Sequence, residues 1–268
     1  MPGRETGVDL DSFWAKLDPV QSVVTHAVIS GMVGQMLYDA FLSEGVRARL
    51  SADLCLSDAS AREFLGYLIS LHDIGKLEYS FQAKSPAMRE RLEETIAPDE
   101  LMPHGVRHEK TGEKSIRSIW EAADQDRHSA RIFSKIVGSH HQGKGGKARF
   151  GKDSVWYGFQ RELEERMRQR FVDGPLTLPC FDRVRQGPVS AILLGLMIMA
   201  DWISSGVRFA DAEQWIGSAG TASLIQTKAE DFLRRSALAP DRVSWADDFC
   251  GVWPNIPASG LRPLQAAV

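Results

Sequence analysis

Cysteine, net charge and long apolar runs are all scarce in this sequence, and each scarcity excludes a class of protein. Three cysteines, Cys55, Cys180 and Cys250, stand among 268 residues with no CxxC pair. Odd in number and far apart, they exclude a disulfide framework and a thiolate zinc site, and they fit reduced thiols in a cytoplasm. The formal net charge is -3, so any affinity for nucleic acid has to come from a local cationic patch. The longest apolar run, residues 189–200, is broken by Ser190 and stopped by Asp201. It reads as a buried helix too short to span a bilayer, and no membrane association is expected. Residues 1–11 are polar and acidic, without the apolar centre of a secretion signal.

What is present is a helical pattern. At 43% hydrophobic and 25% charged residues the chain can bury one core, or one and a half. Alternating β-branched runs are few, so the expected fold class is all-α. The chain centres on Leu71-His72-Asp73-Ile74-Gly75-Lys76. His72 follows Ile69 and Leu68 by three and four residues, so a helix through this segment puts the imidazole on the core-facing stripe. Gly75 then ends that helix in a left-handed conformation and leaves Lys76 free beyond it. A His and a carboxylate buried side by side are costly unless paired, and a metal ion removes the cost. One such pair also fits a core histidine bonded to a local carbonyl, so the rest of the chain has to decide.

After a short leader with Phe13, Trp14 and Pro19, a first helix is expected over residues 23–42, with His26 inward and Gly31 and Gly34 allowing close contact. Ser57 or Asp58 caps a second helix carrying Phe64, Leu65, Leu68 and Ile69. Residues 79–84 form a short amphipathic turn or helix, and 88–96 a charged one. Pro103 and Gly105 put His104 in a loop, and His108 begins a helix through Ile116, Ile119 and Trp120. His128 reads as a surface residue. Residues 131–141 form a helix with Phe133, Ile136, Val137 and His140 on one stripe, closed by His141. The glycine-rich loop after it carries Lys144, Lys147, Arg149 and Lys152 and no negative charge. Its GxxxxGK pattern is not a phosphate loop, because a helix precedes it and Asp153 takes the place of Ser or Thr. Asp153 or Ser154 caps a charged helix to Phe171, and Pro188 opens an apolar helix to Ser204 with Asp201 on its buried side. A last helix spans 222–235.

His26, His72, Asp73, His108, His140, His141 and Asp201 are therefore ligand-type residues on the inner faces or ends of five separate helices. Imidazole and carboxylate without thiolate suit one or two divalent ions of Mn, Fe, Co, Ni or Zn. Adjacent His and Asp with converging helices resembles the HD superfamily of metal-dependent phosphohydrolases. Within it, the order His, HDIGK, Phe-Gln, RHE, HHQGKGG, ADW over residues 24–205 resembles the N-terminal HD nuclease domain of the CRISPR-associated helicase-nuclease of type I systems.

That resemblance implies an HD-domain helical bundle with a metal site between converging helices. It implies that His26, His72, Asp73 and Asp201 hold a first ion, and that Asp73, His108, His140 and His141 hold a second, with Asp73 bridging. The implied activity is cleavage of single-stranded DNA in antiviral defence by a metal-activated hydroxide, with Asp73 as a catalytic residue. From its place beside the ligands, and not from the resemblance, Lys76 is expected to be catalytic by neutralising phosphoryl charge, or to form a surface ion pair. The charge of the glycine-rich loop suits it to steer a strand, with Phe150 or Trp156 stacking a base, or the loop is only a soluble turn. Expected partners are single-stranded DNA, a helicase domain of the same protein and the RNA-guided surveillance complex, with the chain itself a cytoplasmic monomer. Helicase nucleotide motifs are missing from the sequence and no nucleotide cofactor is expected. Residues 1–240 are thus read as the nuclease domain and 241–268 as a linker and the start of a helicase domain, which Gly260-Leu261-Arg262-Pro263-Leu264-Gln265 resembles. The rival readings are an HD hydrolase of nucleotides or cyclic nucleotides, and an HD docking module without catalysis.

Overall fold

The computed structural model describes residues 8–101, 107–141, 151–179, 186–218 and 220–235. Among them lie eleven α-helices and one two-stranded antiparallel hairpin, so the fold is all-α. The long helices are α1 (Val23–Ala40), α2 (Glu44–Asp53), α3 (Asp58–Ser70), α5 (Pro86–Thr95), α6 (His108–Ala122), α7 (Arg127–Val137), α8 (Val155–Phe171), α9 (Gln186–Ser204) and α11 (Thr221–Arg235). Single-turn helices α4 (Tyr79–Gln82) and α10 (Ala212–Trp215) join them. The hairpin, β1 (Trp14–Leu17) and β2 (Val20–Ser22), replaces the plain leader expected from sequence. Its register pairs Lys16 with Gln21 and Leu17 with Val20.

The axis of the domain is α1, packed along α3, α9 and α11. It is buried on almost every side, which is why its sequence carries apolar or small residues nearly all round. Ser22 caps it by accepting from the Thr25 amide, and Ser57 and Ser154 cap α3 and α8 in the same way. The expected close contact at Gly31 is present: a Cβ there would lie 2.7 Å from the Gly66 carbonyl oxygen of α3. Beneath α3, Tyr67 donates to Glu164 of α8 at 2.5 Å and accepts from the Trp120 indole of α6 at 2.7 Å.

Three expectations need correction. Helix α3 stops at Ser70, so His72 and Asp73 lie in the turn that follows, and Gly75 belongs to a 3-10 turn, Ile74–Lys76. Gly75 is not left-handed; positive φ among the described glycines occurs at Gly174 and Gly217. It is glycine for room, since a Cβ would come within 1.9 Å of the His108 carbonyl oxygen. Helix α2 has no counterpart in the sequence reading. Finally, the stretch Gly187–Ser204 of α9 is long and apolar enough to cross a membrane by length and composition, more than the 189–200 run indicated. In the fold it packs along α1, with Val189, Leu193, Leu196, Met197 and Ala200 buried.

Candidate metal centre

Helix ends deliver the ligand-type residues to one place. His26 comes from the first turn of α1, His72 and Asp73 from the turn after α3, His108 from the start of α6, His140 and His141 from the turn after α7, and Asp201 from the last turn of α9. Two of these histidines are fixed by one device. The last carbonyls of a helix lack intrahelical donors, and His72 Nδ1 meets Ile69 O at 2.9 Å while His140 Nδ1 meets Val137 O at 2.6 Å. His26 Nδ1 faces Gln21 Oε1 at 2.8 Å, and the Gln21 amide nitrogen donates to Ser204 O at 3.0 Å, which sets the amide's orientation. A carbonyl only accepts, so each Nδ1 carries a proton, and in the neutral ring it is the Nε2 lone pair that faces the centre.

Asp73 divides the centre in two. Its Oδ2 lies 3.3 Å from both His26 Nε2 and His72 Nε2, and its Oδ1 lies 3.2 Å from His108 Nε2 and 3.7 Å from His140 Nε2. Asp201 Oδ1 closes the first group at 3.3 Å from His26 Nε2 and 3.5 Å from His72 Nε2. His26, His72, Asp73 and Asp201 form one set with donor atoms within 4.8 Å of one another, and Asp73, His108, His140 and His141 form another.

The donors fit a divalent ion. His26 Nε2, His72 Nε2, His108 Nε2, His140 Nε2 and Asp73 Oδ1 are buried without a hydrogen-bond partner, an arrangement that folded proteins avoid unless another ligand completes it. Ligands about 2.1 Å from an ion in tetrahedral geometry sit about 3.4 Å apart, close to the spacings here.

Charge is tightly coupled across the centre. Burial pushes the Asp73 carboxyl up, but the Lys76 ammonium, His72 and the adjacent rings of His108 and His140 hold it well below the usual carboxylate range. Burial likewise opposes ionisation of Asp201, and the adjacent His26 and His72 overcome it. Burial disfavours a charged His72, yet the Asp73 charge and the nearby Asp201 carboxylate raise it to about 9. Burial lowers His26 and His108, and burial with the neighbouring His140 and His108 lowers His141 to about 4.

Lys76 is not free. It is 4% exposed, its Nζ lies 2.5 Å from Asp73 Oδ2, and it donates to Ala15 O at 3.0 Å. It holds Asp73 and the hairpin together, so neither a surface ion pair nor a free reach toward substrate describes it. Trp156 is also a core residue, its indole donating to Glu100 O at 2.8 Å and its ring against Phe13 and Phe159; no base can stack there. Lys152 is exposed and lines a pocket with Trp120, Tyr157 and Arg161, at the opposite end of α6 from His108. His128 is half-buried on α7 and belongs to neither set. Lys144, Lys147, Arg149, Phe150, His104 and residues 241–268 lie outside the described residues.

The sequence reading missed two features. Lys16 of β1 reaches Asp201, with Nζ 3.2 Å from Oδ1. A cleft of about 660 Å³ opens beside the second set, lined by Ser80, Phe81, Lys84, Arg107, His108, Glu109 and His141. Residues 79–84 read in sequence as an amphipathic turn or helix with nothing to mark a cleft, and no local pattern marks Lys16.

An all-α bundle whose helix ends bring an adjacent His-Asp pair together with further His and Asp defines the HD-domain class of metal-dependent hydrolases. The family model described as "Cas3, HD domain" matches residues 14–210, and the chain belongs to that family. Similar solved structures are T. fusca Cas3, at 22% identity and a TM-score of 0.65, over 85% of this chain and 26% of that one. A CRISPR-associated protein matches at 20% identity and a TM-score of 0.71, over 94% and 30% of the two chains. The Thermus thermophilus Cas3 HD domain solved in the presence of Ni2+ matches at 18% and 0.58, over 80% and 84%. The chain thus spans under a third of the first two proteins. No curated protein matches it.

Proposed function

We propose that this chain is a metal-dependent nuclease that hydrolyses phosphodiester bonds of single-stranded DNA in CRISPR interference, acting with a helicase domain and an RNA-guided surveillance complex. The observation that carries the reading is the set of buried, unpartnered donor atoms in two groups that share Asp73, beside an open cleft. His26, His72, Asp73 and Asp201 would hold one divalent ion, and Asp73, His108, His140 and His141 a second. Such ions lower the pKa of water and neutralise charge on the attacking and leaving oxygens of a displacement at phosphorus.

The chain's own groups do the positioning. Lys76 fixes Asp73 so that its two oxygens face different histidine sets. Gln21, Ile69 O and Val137 O hold three imidazoles in the tautomer that leaves Nε2 bare. Glu109, itself held by Arg107 at 2.6 Å, lies 3.4 Å from His108 Nδ1 and orients that ring. In this reading the attacking group is water activated by the ions, and Ser205, whose Oγ donates to Asp201 Oδ1 at 2.9 Å, helps to hold that carboxylate. In the cleft, Lys84, 4.5 Å from the Phe81 ring, and Arg107 offer charge to the backbone of a strand.

The test offers labelled single-stranded DNA, duplex DNA and free nucleotides to the purified chain with Mn2+, Co2+, Ni2+, Zn2+ or chelator, without ATP. Cleavage of the single strand only, abolished by chelator, supports the reading. Release of phosphate or nucleoside from nucleotides with the strand untouched replaces it with a nucleotide hydrolase.

A further inference from the structure

Lys16 is held at the centre by more than its own flexible stem. The hairpin carrying it is anchored on both sides: Trp14 N–H donates to the Gln82 side chain and Trp14 O accepts from it, at 3.2 and 2.9 Å, while the Trp14 indole donates to Gln82 O at 3.1 Å. Ala15 O accepts from Lys76, and Gln21, the register partner of Lys16, bonds Ser204 O and His26. These anchors point the Lys16 side chain at Asp201, where its ammonium lies 3.2 Å from Oδ1 and stays 23% exposed. Lys76, by contrast, is committed inward.

Charge arithmetic then assigns Lys16 two opposite effects. The two sets contain only two carboxylates, Asp73 and Asp201, and otherwise imidazole. A fixed cation on Asp201 works against a second cation at that oxygen, and works in favour of an anion arriving from solvent. We infer that Lys16 is a substrate-contacting residue that binds a non-bridging oxygen of the phosphate entering the first donor set, at the expense of divalent-ion affinity there. This deepens the nuclease reading and rests on it for the identity of the substrate. A charge-assisted contact of this kind changes binding by about tenfold or more.

The experiment compares wild type with Lys16→Met and Lys16→Arg. Melting curves establish that each variant folds, and the exposure of the side chain makes a solvent-compatible replacement tolerable. Calorimetric titration with Mn2+ should show tighter binding in Lys16→Met and wild-type affinity in Lys16→Arg. Inhibition by inorganic phosphate should weaken in Lys16→Met by about tenfold, and KM for a single-stranded oligonucleotide should rise by a similar factor, with Lys16→Arg restoring both. Weaker Mn2+ binding in Lys16→Met would show that Lys16 merely holds Asp201 in place, and unchanged phosphate inhibition would show that it touches no substrate. Either result overturns the inference. Failure of the nuclease reading is separately visible, because wild type would then leave the oligonucleotide intact while the Mn2+ titration, which needs no turnover, still reports on Lys16.

Discussion

The backbone of Gly75 sits against the carbonyl of His108 so closely that a Cβ at position 75 would lie 1.9 Å from that oxygen and 2.6 Å from the Gly112 nitrogen. The contact sets the distance between the turn that carries Asp73 and the helix that carries His108. Both obstructing atoms are backbone, so a side chain at 75 forces the turn and α6 apart. Gly75→Ala should therefore destabilise the protein by about 1–3 kcal/mol, as overpacking does, and lower metal content more in the Asp73, His108, His140 and His141 set than in the other. Metal analysis beside thermal melts checks this, and an unaltered stoichiometry with a normal melting temperature refutes it.

Asp73→Ala should abolish hydrolysis with every divalent ion, since Asp73 supplies one oxygen to each set. Asp73→Asn should leave Lys76 buried at 4% exposure opposite a neutral amide, a costly arrangement, and so should be both inactive and less stable. Wild-type turnover by either variant would remove the shared carboxylate from the mechanism.

The pH dependence of the chelated protein has a defined sign. His72 is raised in the fold to about 9 from its ordinary 6.5, so the native state binds more protons than the unfolded state between those values. Its stabilising contribution is complete below about pH 6.5 and lost as pH rises through about 9. Melting temperature in chelator should fall across that window, and His72→Gln should flatten the fall. Below 6.5 the lowered His26, His108 and His141 work the other way, so stability should also fall toward pH 4. Adding Mn2+ at pH 7.5 should release protons, measurable by calorimetry in buffers of different ionisation enthalpy.

For Lys144, Lys147 and Arg149 the expected readout is salt dependence. Each phosphate neutralised on a single strand contributes about 0.7 to the slope of log affinity against log salt, so replacing all three with Ala should flatten it by up to about 2. The titration is run in the Asp73→Ala background. Equal slopes would place the strand elsewhere, along Lys84 and Arg107.

Tyr67→Phe serves as a contrast. It strands the Trp120 indole and Glu164, both bonded to the Tyr67 hydroxyl, and should cost about 1–3 kcal/mol while metal content stays unchanged. A loss of bound metal would reveal coupling between the core beneath α3 and the centre.

The reach of the sequence follows from the range of each interaction. His26 and Asp201 stood out because a helical period marks an inward position, and a polar residue on an apolar stripe demands a partner. The helix caps at Ser57 and Ser154 were equally local signals. Lys16 carried no such signal, because its partner Asp201 is 185 residues away and the hairpin that aims it is fixed by Gln82, 68 residues from Trp14. The same holds for Gly75: its glycine suggested a left-handed cap by local chemistry, whereas the constraint comes from α6. Helix α2 escaped because its three buried residues, Leu50, Ser51 and Asp53, make no apolar stripe.

The histidines that borrow the last carbonyls of α3 and α7 have a consequence for unfolding. Each ring can keep its orientation only while the final turn behind it stays wound, so fraying of either helix end would turn an Nε2 away from the centre before the core opens. An ion held there would act as a clasp on helix ends drawn from across the domain, suppressing this fraying at several places at once. Amide hydrogen exchange at residues 69–73 and 137–141 should therefore slow together on metal addition, while the amides around Tyr67 and Trp120 exchange as before.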